Sequence, residues 1–194
     1  MILKIRQTGE PVLRRHARAL SREEILSDEI QRLIADMRDT VRDAPGVGLA
    51  APQIGESLRL AVIEDRQEYI DKLPPGQAED RGRVAVPFHV IVNPVLTLEA
   101  EPDTRFFEGC LSVAGFTAIV PRAAKVRVEC LNESAQPVAI EAAGWYARIL
   151  QHEIDHLHGG LYIDRMNSRS FMTLENFIRH GKTFSAGDPK LHRS

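Results

Sequence analysis

The segment AKVRVECL (124–131), followed by NESAQ and PVAIEA, constrains the fold more than any other stretch. Val126, Val128 and Cys130 alternate with Lys125, Arg127 and Glu129, the period-two pattern of a half-buried strand. Five residues then separate it from a second apolar run, so the pair must close as an antiparallel hairpin; a parallel crossover needs about a dozen residues or more. LRLAVIE (58–64) and HVIVNPVL (89–96) read as two further strands, and KLPPGQAEDRGR between them as a polar surface loop. Ser27 is placed to cap a helix whose apolar residues Ile30, Leu33, Ile34, Met37 and Val41 recur at helical spacing and stop at the turn signal DAPG. A second helix runs from about Trp145 to His158 and ends at Gly159-Gly160, and a short third one fits TLENFIR. Short strands around a central helix predict an α+β fold with mostly antiparallel sheets. No internal repeat or linker divides residues 1–194, which read as one domain with a polar tail from about 180.

A net charge of −2 gives no argument for a nucleic-acid or membrane-surface partner. No apolar run approaches the roughly 20 residues a membrane-spanning helix needs, and MILKIRQTGEPVLRR lacks the apolar stretch of a secretory signal. The expected compartment is the cytoplasm, or an organelle if a transit peptide has been removed. Only Cys110 and Cys130 are present, which argues against a disulfide framework. The alternation places Cys130 in the core, and Cys110 needs an explanation of its own.

QHEIDHLHG (151–159) raises the question of chemistry. On a helix, His152 and His156 lie one above the other and can offer two imidazoles to one ion, with Glu153 close enough to reach a water bound there. The plainer reading is a polar helix whose histidines are satisfied by hydrogen bonds. A metal site needs a third ligand, and three residues compete for that place. The pattern H-E-x-x-H-x-x-G-x-x-H is met through Gly159 but ends on Tyr162, a poor substitute for histidine. Glu175, in a segment able to be helical, would make a thermolysin-like peptidase site. Cys110, in EGCLS, would bind as a thiolate; a lone cysteine is otherwise a small core residue.

GVGLAAPQ (46–53), EGCLS (108–112) and QHEIDHLHG together resemble the peptide deformylases, enzymes that remove the N-formyl group from newly made polypeptides. The likeness extends from GEPVLRR to LYIDRM. It implies a mixed fold with short sheets around the metal helix, and one divalent ion on Cys110, His152 and His156: Fe2+ first, Zn2+ second, with Ni2+ or Co2+ as substitutes. It implies Glu153 as general base, and the Gln53 side-chain amide with the Leu111 N–H as oxyanion donors. It also implies main-chain contacts from Val47, Gly48 and Gly109 to an extended substrate, the formylated nascent peptide. Trp145 and Ile149, on the metal side of the helix, can line a pocket for a methionine side chain or simply pack in the core. SVAGF (112–116) and GWYARILQHE (144–153) resemble the organellar branch. Two positions depart from the common bacterial pattern: Ala114 follows Val113 where proline is usual, and Thr117 stands where an arginine contacts the peptide. A transient ribosome contact through Lys182, Lys190 and Arg193 fits a substrate that emerges there. The competing readings are a zinc endopeptidase using Glu175 and a protein in which the metal is only structural.

Overall fold

The computed structural model describes residues 1–181. In chain order the strands are β1 (Gly48–Ala50), β2 (Leu60–Asp65), β3 (Val86–Leu98), β4 (Thr104–Glu108), β5 (Phe116–Arg122), β6 (Lys125–Leu131), β7 (Pro137–Ala143) and β8 (Met172–Thr173). The helices are α1 (Arg22–Leu26), α2 (Asp28–Asp43), the single turns α3 (Gln67–Ile70) and α4 (Gln77–Asp80), α5 (Gly144–Leu157) and α6 (Leu174–His180). Two sheets form, one in the order β1-β2-β3-β6-β7 and one in the order β4-β5-β8. Every pairing between these strands is antiparallel; the β4–β5 and β6–β7 connections are too short for any other arrangement.

The hairpin closes between β6 and β7, in register from Lys125 opposite Ala143 to Leu131 opposite Pro137. Its turn is held by Asn132, whose Oδ1 accepts the N–H groups of Ser134 and Gln136 at 3.0 and 2.9 Å. Val126, Val128 and Cys130 are buried, and burial pushes the Cys130 thiol up to about 11, the behaviour of an inert core residue. Ser27 caps α2 by accepting the Ile30 N–H, and Ile30, Ile34, Met37 and Val41 pack onto β2 and β3.

α5 is buried on almost every side, unlike the half-exposed helix of an amphipathic pattern. It lies against β1, β2, β3, β6 and β7. Gln151 fixes it to the β5–β6 corner, accepting the Ala123 N–H at 3.0 Å and donating to the Ala123 carbonyl at 2.9 Å. The helix stops because Gly159 adopts φ +76°, and a Cβ there would meet the main chain of Arg14 at 2.8 Å.

Several elements differ from expectation. No strand is expected directly after the helix-ending turn DAPG, yet Gly48–Ala50 pairs with Ala61–Ile63 as an edge strand. β4 and β5, on either side of EGCLS, lack alternation; β5 is buried along nearly its whole length, so no polar face marks it. The 72–83 segment is not loop throughout, since it contains α4 and ends on Arg83, which forks onto Asp65 at 2.7 and 2.8 Å and is largely buried. The basic tail lies outside the described residues. Among those described, no helix is long and apolar enough to cross a membrane.

Candidate active site

α5 carries His152, Glu153 and His156; His152 reaches β4 of the second sheet, Glu153 faces β1 of the first, and the loop leaving β4 brings Cys110 to the two histidines. Among the described residues, the one cluster able to hold a metal is Cys110, His152 and His156, whose donor atoms all lie within 4.8 Å of one another. The Cys110 Sγ is 3.3 Å from His156 Nε2. Burial opposes ionisation of Cys110, but His156 and His152 outweigh it and hold the thiol well below its ordinary value, favouring the thiolate that binds cations. One thiolate and two imidazoles suit a divalent transition metal, so the residues present fit such an ion.

The orientation of His152 is set from behind. Its Nδ1 is 3.0 Å from Glu108 Oε2, which leaves Nε2 for the cluster, the usual carboxylate support of a metal-binding histidine. Burial penalises the Glu108 carboxylate, yet His152 and Arg122 hold it well below the usual range. Arg122 spans both carboxylate oxygens at 3.0 Å, and Arg148 adds a third contact at 2.6 Å. Glu108 stood in the EGCLS block without an assigned role. Arg148 sits four residues before His152, a spacing that puts both on one helix face; nothing in the sequence marked Arg122.

Glu153 is buried, and its Oε2 has no hydrogen-bond partner among the described residues. A buried oxygen left without a partner marks a place where a ligand or water belongs. Burial raises the Glu153 pKa, with His152 and His156 acting in the opposite direction. Gly48 presses against it: a Cβ at residue 48 would lie 2.6 Å from Glu153 Cδ, so the close passage of β1 requires glycine. Gly109 has no such need, because a Cβ there would sit 3.6 Å from the Phe116 carbonyl.

The Gln53 amide is oriented by its neighbours. Its Oε1 accepts the Ala50 N–H at 2.8 Å, so its NH2 group turns toward Cys110 Sγ at 3.5 Å and Ser112 Oγ at 3.3 Å. A cavity of about 450 Å3 opens beside these groups. Val47, Gly48, Gly109, Leu111, Trp145 and Ile149 all line it, as do Gln53 and Glu153. Phe116 and Leu174 also contribute to its wall, which the sequence did not indicate.

The other contenders for a ligand lie elsewhere. Tyr162 is buried, its ring nearly parallel to that of His152 with centroids 6.4 Å apart, so it packs beside the histidine and is not part of the cluster. Glu175 is 72% exposed and bonds Arg179 at 2.5 Å. Thr117 points inward, its hydroxyl donating to the Glu108 carbonyl at 2.7 Å, while Ala114 does line the cavity. His158 is exposed, and His89 is satisfied by Tyr146 at 2.9 Å.

The polypeptide deformylase family pattern matches residues 2–171. The chain is 45% identical to the chloroplastic peptide deformylase 1A of Solanum lycopersicum over 95% of its own length and 66% of that protein's. Over 89% of its length it is 46% identical to peptide deformylase 3 of Streptomyces avermitilis, covering 75% of that chain. Likeness to an organellar form is thus matched by likeness to a bacterial one. A crystal structure of the class I type b peptide deformylase of Acinetobacter baumannii with Met-Ala-Ser bound superposes with a TM-score of 0.74 at 32% identity, over 86% of this chain and 99% of that one. The chain belongs to the polypeptide deformylase family, metal-dependent hydrolases that remove the N-formyl group from newly made polypeptides.

Proposed function

We propose that residues 1–194 form one catalytic domain that hydrolyses the formamide of N-terminal formylmethionine, with Cys110, His152 and His156 holding one ion, Fe2+ ahead of Zn2+. The observation that carries this reading is the Glu153 carboxylate, buried beside the three ligands with one oxygen unpartnered and a cavity in front of it. Such an ion, when bound, polarises the formyl carbonyl and makes water nucleophilic near neutral pH. Glu153 takes the proton of the attacking water and returns it to the leaving amine. The Gln53 NH2, turned inward by Ala50, and the Leu111 N–H donate to the oxygen on which negative charge develops. The products are formate and a free N-terminus.

β1 is an edge strand bordering the cavity, which supports main-chain pairing with an extended peptide at Val47 and Gly48, and Gly109 lines the same cavity. Trp145 and Ile149 give the cavity an apolar side suited to methionine, the first residue of the peptide bound by the Acinetobacter relative. The proposed place of work is wherever formylated chains are made: the cytoplasm, or an organelle after removal of a transit peptide.

Formate release from a formyl-Met peptide tests the reading, using protein loaded anaerobically with Fe2+ and, separately, with Zn2+. Turnover should be higher with iron; no turnover by protein shown to hold either metal rejects the activity. In the same assay Gln53→Leu should lower kcat about 10²–10³-fold, the usual cost of one oxyanion donor. An unchanged kcat removes Gln53 from the mechanism. The proposed ribosome contact is tested by deleting residues 182–194, which should reduce co-sedimentation with ribosomes; undiminished co-sedimentation would dismiss it.

A further inference from the structure

We propose that Arg148 is a positioning residue for the metal centre: it pins Glu108, and through Glu108 the ligand His152, while tying the metal helix to the sheet that delivers Cys110. The proposal rests on the assignment of Cys110, His152 and His156 as ligands.

Arg148 precedes His152 by one helical turn and is buried, with 3% of its surface exposed. Its Nη1 donates to Glu108 Oε1 at 2.6 Å and to the Val120 carbonyl at 2.9 Å, and its Nη2 to the Thr104 carbonyl at 2.6 Å. Those carbonyls belong to β5 and β4, and β4 ends two residues before Cys110. One guanidinium therefore bridges α5, which bears two ligands, and the sheet that bears the third. Two aromatic rings pack near it, with Cζ 5.3 Å from the Phe106 centroid and 5.7 Å from that of Trp145.

The Glu108–Arg122 pair is complete without Arg148. Arg122 already neutralises the carboxylate and donates to both of its oxygens, with a further contact to Asp155 at 2.5 Å. A second buried arginine adds positive charge close to a site built for a cation, an arrangement with an electrostatic cost. What it adds in return is geometric. Arg122 grips the carboxylate symmetrically, whereas Arg148 holds Oε1 alone and leaves Oε2 turned toward His152 Nδ1. The planar fork suits this task, because a point donor such as lysine cannot reach a carboxylate and two carbonyls from one rigid plane.

Co2+ serves as the probe, with affinity measured by chelator competition and geometry read from the visible absorption of the Co2+-loaded protein. Wild type should show thiolate-to-Co2+ charge-transfer bands that disappear in Cys110→Ser. Their absence from wild type would refute the ligand assignment, and the inference with it. With the bands present, Arg148→Met should bind Co2+ about 10–100-fold more weakly, the usual cost of losing outer-shell support, and shift the ligand-field bands. Arg148→Lys should recover part of the affinity. Val128→Ala, a core truncation in β6, provides a destabilised control that should bind Co2+ as wild type does. A lower melting temperature in Arg148→Met with affinity within twofold of wild type and an unchanged spectrum would make the residue merely structural and overturn the proposal. If Arg148→Met does not fold, Arg148→Lys decides: weaker binding with shifted bands supports positioning, and wild-type values refute it.

Discussion

Glu153→Gln is expected to lower formate release by about 10²–10⁴-fold, the range a positioned general base contributes, while the protein keeps its metal. Glutamine matches the carboxylate in shape, so it fits between α5 and β1, where Gly48 leaves no room for anything larger. It cannot accept and return the proton. The metal should stay because Glu153 is not in the cluster of Cys110, His152 and His156. The melting temperature should not fall, since burial disfavours the charged carboxylate in the first place and the substitution removes that charge. Metal stoichiometry, thermal melting and formate release on the same preparation check all three points. A variant that retains turnover within tenfold of wild type would show that Glu153 is not the base.

Cys110→Ala should lose both metal and activity. The thiolate is the sole anionic donor among the three, and it closes the site opposite two imidazoles carried by one helix. Affinity should fall by more than the ~10–100-fold that outer-shell changes cost, leaving dialysed protein with less than one equivalent and formate release at background. The fold should survive, because the other Sγ contacts, from the Ser112 N–H at 3.4 Å and Gln53 Nε2 at 3.5 Å, are long and weak. The same variant separates the competing chemistries. A peptidase site completed by Glu175 would not need Cys110, so retention of metal and activity would overturn the ligand set proposed here.

The legible parts of the molecule were those whose signal is local. The β6–β7 hairpin was readable because β6 alternates and a five-residue turn leaves one way to close it. α2 was readable because Ser27 caps a stripe of apolar residues at helical spacing. β1, β4 and β5 were not. Gly48 carries no side chain to report a face, and β5 is buried on both faces, where periodicity has little to distinguish. The short α4 was missed because a single helical turn offers too few positions to set a period.

The site divides in the same way. His152, Glu153 and His156 could be grouped from spacing alone, because helix geometry converts a separation of four residues into proximity. Cys110 could not: it joined them first through resemblance, and the packing of β4 against α5 then placed its sulfur 3.3 Å from His156. Arg148 shows the limit most clearly. In sequence it is a charged residue in a helix, a pattern that usually means a solvated face, yet it is buried between two carbonyls and a carboxylate. Sequence by itself determined the antiparallel α+β class, the caps and stripe of α2, the face of the metal helix and, through three separated blocks, the family. Tertiary structure alone decided the position of Cys110 beside the two histidines, the edge position of β1 beside the cavity, the inward turn of Gln53 and the carboxylate clamped by Arg122 and Arg148. The reason is physical: periodicity reports which side of a segment is apolar, whereas ion pairs, hydrogen bonds and metal sites depend on distances between segments that chain order does not fix.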